Sequence, residues 1–116
     1  MNLERLQERL RYRFGDRAVL LQALTHKSYG HEFFQDKPIA LRDNERLEFL
    51  GDAILDVVVS DILLEAFPHA NEGQLSKMRA AVVNEKTLAI LARSLQLQES
   101  VRLGKGEAQT GGNEKA

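Results

Sequence analysis

The segment "NERLEFLGDAIL", residues 44–55, sets the carboxylates Glu45, Glu48 and Asp52 into a run otherwise rich in leucine, isoleucine and phenylalanine. Turned as a helix, at about 100° per residue, these three and Asp56 fall within an arc of roughly 80°. Leu47, Phe49, Leu50, Ala53, Ile54, Leu55, Val57 and Val58 take the other directions. The plain reading is the solvated face of an amphipathic helix. Against it, Glu48–Asp52 and Asp52–Asp56 are like-charge i,i+4 pairs, each costing about 0.2–0.5 kcal/mol when nothing compensates. A divalent cation would compensate, because carboxylates one turn apart, with Cβ atoms about 5–6 Å apart, can lean onto one ion. The sequence has no cysteine, and His26, His31 and His69 are scattered, so an all-oxygen site suits Mg²⁺ or Mn²⁺. Magnesium held by a few carboxylates, waters and a substrate phosphate is the apparatus of metal-assisted phosphodiester hydrolysis.

The elements that must position these acids read as helices. "LERLQERLRY" spaces Leu3, Leu6 and Leu10 by three and four, and Asp16 can cap a second helix in "RAVLLQALTH". Ser28 to Leu41 lacks periodicity and contains Gly30 and Pro38, which predicts a long loop. Asp43 or Asn44 can cap a helix that runs to Phe67, where Pro68 stops it. Apolar around most of its first half, it is expected to be a long central helix with the others packed around it. "NEGQ" is a form of capping box opening a fourth helix through "LSKMRAAVV", and Asn84 can cap a fifth, with Leu88, Leu91 and Leu95 on one side. After Val101 the pattern dissolves into glycine and polar residues. Strand signals are nearly absent, so the fold class is all-α. Gly51, inside the long helix, costs about 0.5–1 kcal/mol relative to alanine and admits close approach of a backbone or ligand.

Composition narrows the class. The 116 residues are one domain's worth of chain, 43% apolar, with no apolar run long enough to span a membrane. A cytoplasmic location with no membrane partner is expected, and the missing cysteines exclude disulfides, thiolate catalysis and zinc–thiolate sites. The net charge of −1 gives no global positive field, so any nucleic-acid contact must be local. Lys and Arg gather at Arg42 and Arg46, Lys77 and Arg79, and Arg102 and Lys105; solvated surface charge is the plain reading of all three groups. Lys77 and Arg79 are the candidates for nucleic-acid phosphate contact. "GKGE" at 104–107 has neither the spacing nor the preceding strand of a P-loop. His26 reads as a helix-end hydrogen-bonding group.

"NERLEFLGDAIL" closely resembles the signature of the ribonuclease III family of double-stranded-RNA endonucleases, and "LLQALTHKS", "NEGQLSKMRAAVVNEKTLA" and "VRLGKGEAQTGG" extend the likeness over essentially the whole chain. The resemblance implies an all-helical, homodimeric endonuclease domain. It also implies Mg²⁺-dependent cleavage of duplex RNA, in ribosomal and other RNA processing, leaving 5′-phosphate and 3′-hydroxyl ends. Carried over by position, Glu48 is implied to be a direct metal ligand and Asp52 its catalytic companion. Glu45 is implied to support them, with Glu72 and Glu107 as further acids lining the cleavage valley. Phe49, by default a core side chain, is implied to project into a socket on the partner subunit. Asp56 has no counterpart in the motif.

The family's second acidic segment, with one more Asp and Glu for the metal site, would follow Gly112 by a few residues, and the sequence ends at Ala116. Residues 1–116 are therefore expected to be the N-terminal part of a ribonuclease III catalytic domain, without the double-stranded-RNA-binding domain and inactive alone. A non-catalytic helical dimerisation or RNA-binding fragment is the alternative.

Overall fold

The computed structural model describes residues 2–109. Among them are eight α-helices: α1 Leu3–Leu10, α2 Arg17–Ala23, α3 Lys27–Phe33, α4 Ile39–Arg42, α5 Glu45–Ala66, α6 Glu72–Val82, α7 Glu85–Ser94 and α8 Lys105–Gln109, with a 3₁₀ turn at Leu97–Glu99. The only strand-like feature among the described residues is one parallel bridge between Thr25 and Arg102. The all-α expectation holds, and α5 is the long central helix.

Caps set the helix boundaries as the side chains predict. Asn2, Asp16 and Asn84 each accept a backbone N–H from the first turn of α1, α2 and α7. Asn71 and Gln74 form the reciprocal capping box of α6, both bonds at 2.9 Å. Helix α1 ends where Arg11 turns left-handed (φ 55°), and α5 ends at Phe67, before Pro68.

Ser28 to Leu41 is not a loop throughout, as its lack of periodicity had suggested. It contains most of α3 and the start of α4. Periodicity missed them because each is too short to bury a stripe; hydrogen bonds hold them instead. Arg42 donates to the carbonyls of Lys37 (2.8 Å) and Gln35 (2.6 Å), and Gln22 donates to those of Ala40 and Asp43. Gly30 fits because a Cβ there would lie 2.6 Å from the carbonyl oxygen of Arg42. The 3₁₀ turn and α8, both beyond the last periodic segment, were likewise unanticipated.

The core lies at one end. Leu3, Leu6, Leu20 and Leu24 are buried, with Leu10, Phe14, Leu21, Leu97 and Val101 packed against them. Helix α5, 22 residues and about 33 Å long at 1.5 Å per residue, has no buried residue and packs mainly on α6. The expectation that it would be covered on nearly all sides is therefore corrected. Phe49 is 82% and Val57 68% exposed, with Leu50, Ile54, Ile62 and Leu64 also open. The wheel shows how much of a helix is apolar but not whether its own chain supplies the cover. The molecule is accordingly elongated, 51 × 27 × 27 Å with a radius of gyration of 16.4 Å, against about 13 Å for a compact chain of this length. No helix among the described residues is long and apolar enough to cross a membrane.

Candidate functional site

Helix α5 begins at a doubly anchored cap. The Asn44 side chain does not cap its own helix; its Nδ2 donates to the Ala23 carbonyl (2.9 Å) and its backbone N–H to the Thr25 carbonyl (3.0 Å). Asp43 does the capping, its Oδ1 accepting the Glu45 N–H at 2.9 Å. The backbone N–H of Glu48 donates to the Asn44 carbonyl at 2.8 Å, so the first acidic turn is tied directly to this cap.

Glu45, Glu48, Asp52 and Asp56 are all exposed on α5. Glu45 lies 3.9 Å from Lys27 Nζ, an ion pair with both side chains about two-thirds exposed. Glu48 and Asp52 follow one turn apart on the same arc. Glu45 and Glu48 also lie in the first turn of a 22-residue helix, at its positive end.

The other acids stand elsewhere. Glu72 opens α6 and lines a cavity of about 220 Å³ between α5 and α6, with Ser60, Leu63, Leu64, Leu75, Ser76 and Arg79. Ser60 is eight residues, about 12 Å, along α5 from Asp52, so within one chain Glu72 does not join the first-turn acids. Glu107 is half-buried in α8. Among the described residues, no three His, Asp or Glu side chains converge closely enough to hold a metal by themselves. Lys77 is exposed on α6, and Arg79 donates to Ser60 Oγ at 2.9 Å across the α5–α6 groove. Gly111 and Gly112, which end the last quoted motif, lie outside the described residues.

Arg102, grouped above with surface charge, is engaged instead. Its guanidinium donates twice to Thr25 Oγ1, at 3.0 and 2.7 Å, and lies 5.0 Å from the Tyr29 ring centre. His26 is a helix-end hydrogen-bonding group as expected, but it caps the unanticipated α3, its Nδ1 accepting the Ser28 N–H at 3.2 Å and lying 2.8 Å from Ser28 Oγ. The positioning roles of Thr25, Ser28, Glu32 and Arg102 were missed. The signal available was "THKS" directly after an apolar stripe, a cluster of short polar groups at a helix end.

A family model described as ribonuclease-III-like matches residues 16–116. Over 114 residues the chain is 53% identical to the ribonuclease 3 of Syntrophobacter fumaroxidans, covering 98% of this chain and 46% of that protein. It is 54% identical over 112 residues to the ribonuclease 3 of Actinobacillus pleuropneumoniae serotype 5b, covering 97% and 46%. The chain thus spans about half the length of the curated relatives it matches. The fold superposes on the nuclease domain of ribonuclease III from Campylobacter jejuni with a TM-score of 0.86 at 46% identity, over 98% of this chain and 73% of that one. That structure is described as showing structural flexibility in a region involved in the Campylobacter domain's dimer formation. With the family model matching residues 16–116, this chain belongs to the ribonuclease-III-like family.

Proposed function

We propose that this chain is nuclease-domain sequence of a ribonuclease III, acting in the hydrolysis of double-stranded RNA to 5′-phosphate and 3′-hydroxyl ends during ribosomal and other RNA processing in the bacterial cytoplasm. The observation that carries this is the exposed pair Glu48 and Asp52, one turn apart at the anchored end of α5, in a chain of this family.

The donor chemistry fits a magnesium ion. Mg²⁺ keeps several waters and takes one or two carboxylates plus substrate phosphate oxygens, which an exposed carboxylate pair can meet and a closed cage could not. Bound there, the ion would supply an activated water and charge stabilisation at the leaving oxygen. Glu48 and Asp52 would hold it. Glu45, paired with Lys27, would add negative potential beside it, and Glu72 and Glu107 would be the outlying acids of the valley. Lys77 and Arg79 would meet RNA phosphates, with the duplex recognised mainly by shape. A second copy would cover the apolar face of α5, with Phe49 as its projecting contact. Alone, residues 1–116 hold two of the four acids that the resemblance assigns to the ion, so we expect them to cut little or no RNA.

A second reading, a non-catalytic dimerisation or RNA-binding module, draws support from the uncovered apolar face of α5. The two separate in a chimera that continues residue 116 into the part of the Syntrophobacter relative beyond the match. Mg²⁺-dependent cleavage of duplex RNA, lost in Glu48→Gln and Asp52→Asn with RNA binding retained, supports the nuclease. Cleavage unchanged by both substitutions overturns it.

A further inference from the structure

Helix α5 and the start of α8 are both tied to the stretch from Thr25 to Glu32. We propose that Thr25 and Arg102 form a clasp that sets the spacing between the acidic first turn of α5 and the helix bearing Glu107, acting as positioning residues for the cation site. This rests on the nuclease reading above.

Thr25 is 1% exposed. Its hydroxyl donates to the Leu21 carbonyl at 2.6 Å, which leaves its lone pairs to accept both donors of Arg102. The planar guanidinium fork makes this double contact on one oxygen, and an ammonium group would not reproduce it. The chain is pinned on both sides of the same point: the Arg102 N–H donates to the Leu24 carbonyl (2.7 Å), and the His26 N–H to the Arg102 carbonyl (3.0 Å). The Thr25 carbonyl, in turn, holds the Asn44 N–H at the cap of α5.

The next residues complete the link. Lys27 pairs with Glu45 on α5, while its neighbour Ser28 accepts the Gly104 N–H at 2.9 Å and Glu32 accepts the Lys105 N–H at 2.9 Å, holding the start of α8. The approach is close: a Cβ on Gly104 would sit 2.8 Å from the Ser28 carbonyl oxygen. Helix α3 therefore contacts both the first turn of α5 and the start of α8, and the Thr25–Arg102 contact fixes the turn that precedes it.

The test is an Mn²⁺ titration of the ¹⁵N-labelled 116-residue chain, reading paramagnetic broadening of amide signals. Broadening is expected first at Glu48 and Asp52, with a response at Glu107. Thr25→Val keeps the shape and removes the hydroxyl; it should raise the Mn²⁺ midpoint at Glu48 about tenfold, the scale seen when groups supporting a metal's ligands are removed, and abolish the Glu107 response. Thr25→Ser should restore both. Leu88→Ala, which removes a half-buried side chain on α7 away from the clasp, should leave the midpoint in place. If Thr25→Val does not fold, Arg102→Lys decides by the same readout. A folded variant with the parent's midpoint and Glu107 response overturns the clasp while the nuclease reading stands. A parent chain with no broadening at Glu48 and Asp52 overturns the cation site and the clasp with it.

Discussion

The backbone N–H of Asn44 donates to the carbonyl of the buried Thr25 at 3.0 Å, which fixes the acid-bearing helix to the turn after α2. The Asn44 side chain serves the same anchorage through Ala23. Asn44→Ala should cost about 0.5–1.5 kcal/mol, read as a lower urea midpoint at unchanged slope. Asn44→Asp should be worse than a cap swap predicts, because it turns a donor facing a carbonyl into a second acceptor. An Asp variant as stable as the parent would show that the anchorage contributes nothing.

Gly51 separates folding from function. A Cβ at this position meets nothing within 4 Å in the single chain, so Gly51→Ala should stabilise the chain by about 0.5–1 kcal/mol through helix propensity alone. If a ligand or second copy approaches there, the same variant should weaken association or cleavage. A stabilised variant with both unchanged would remove that role for Gly51.

Leu6 and Phe49 make opposite predictions. Leu6 is 0% exposed in the small core, and Leu6→Ala should cost about 2–5 kcal/mol in thermal or urea unfolding. Phe49, 82% exposed, should shift monomer stability by no more than about 0.5 kcal/mol on replacement by alanine. Its effect should be on association: sedimentation at micromolar concentration should show dimers for the parent and fewer for Phe49→Ala. A strictly monomeric parent would contradict the self-association reading.

Acid should weaken one contact at the core end. Two hydrogen bonds from the Arg13 guanidinium, at 3.1 and 2.7 Å, and its charge hold the Glu4 carboxyl below the ordinary carboxylate value. A carboxylate with a lowered folded-state pKa stabilises above its unfolded-state pKa, and that contribution disappears as pH falls through the folded-state value. The melting-temperature gap between the parent and Glu4→Gln should therefore be small but present at neutral pH and close on acidification. It should also shrink with added salt, because both side chains are exposed. A gap that widens in acid would contradict the assignment.

The helices legible in the sequence were those with a cap and a stripe: Asp16, Asn71 and Asn84 each begin a helix as their side-chain chemistry predicts. Helices α3, α4 and α8 were not, because they are stabilised by hydrogen bonds donated by Arg42 and Gln22 and accepted by Ser28 and Glu32 that no local pattern encodes. The arc of Glu45, Glu48 and Asp52 follows from helical period alone and was readable. The separation of Glu72 from that arc was not, since it depends on how α6 folds back against α5. Arg102 was misassigned to the surface because charge type reports nothing about a partner 77 residues away in sequence.

Anomalous diffraction from crystals of the chimera grown with duplex RNA and Mn²⁺ tests the central claim most directly. The account predicts a manganese peak within coordination distance of a carboxylate oxygen of both Glu48 and Asp52, beside an RNA phosphate. Occupied manganese sites with neither residue as a ligand would contradict it.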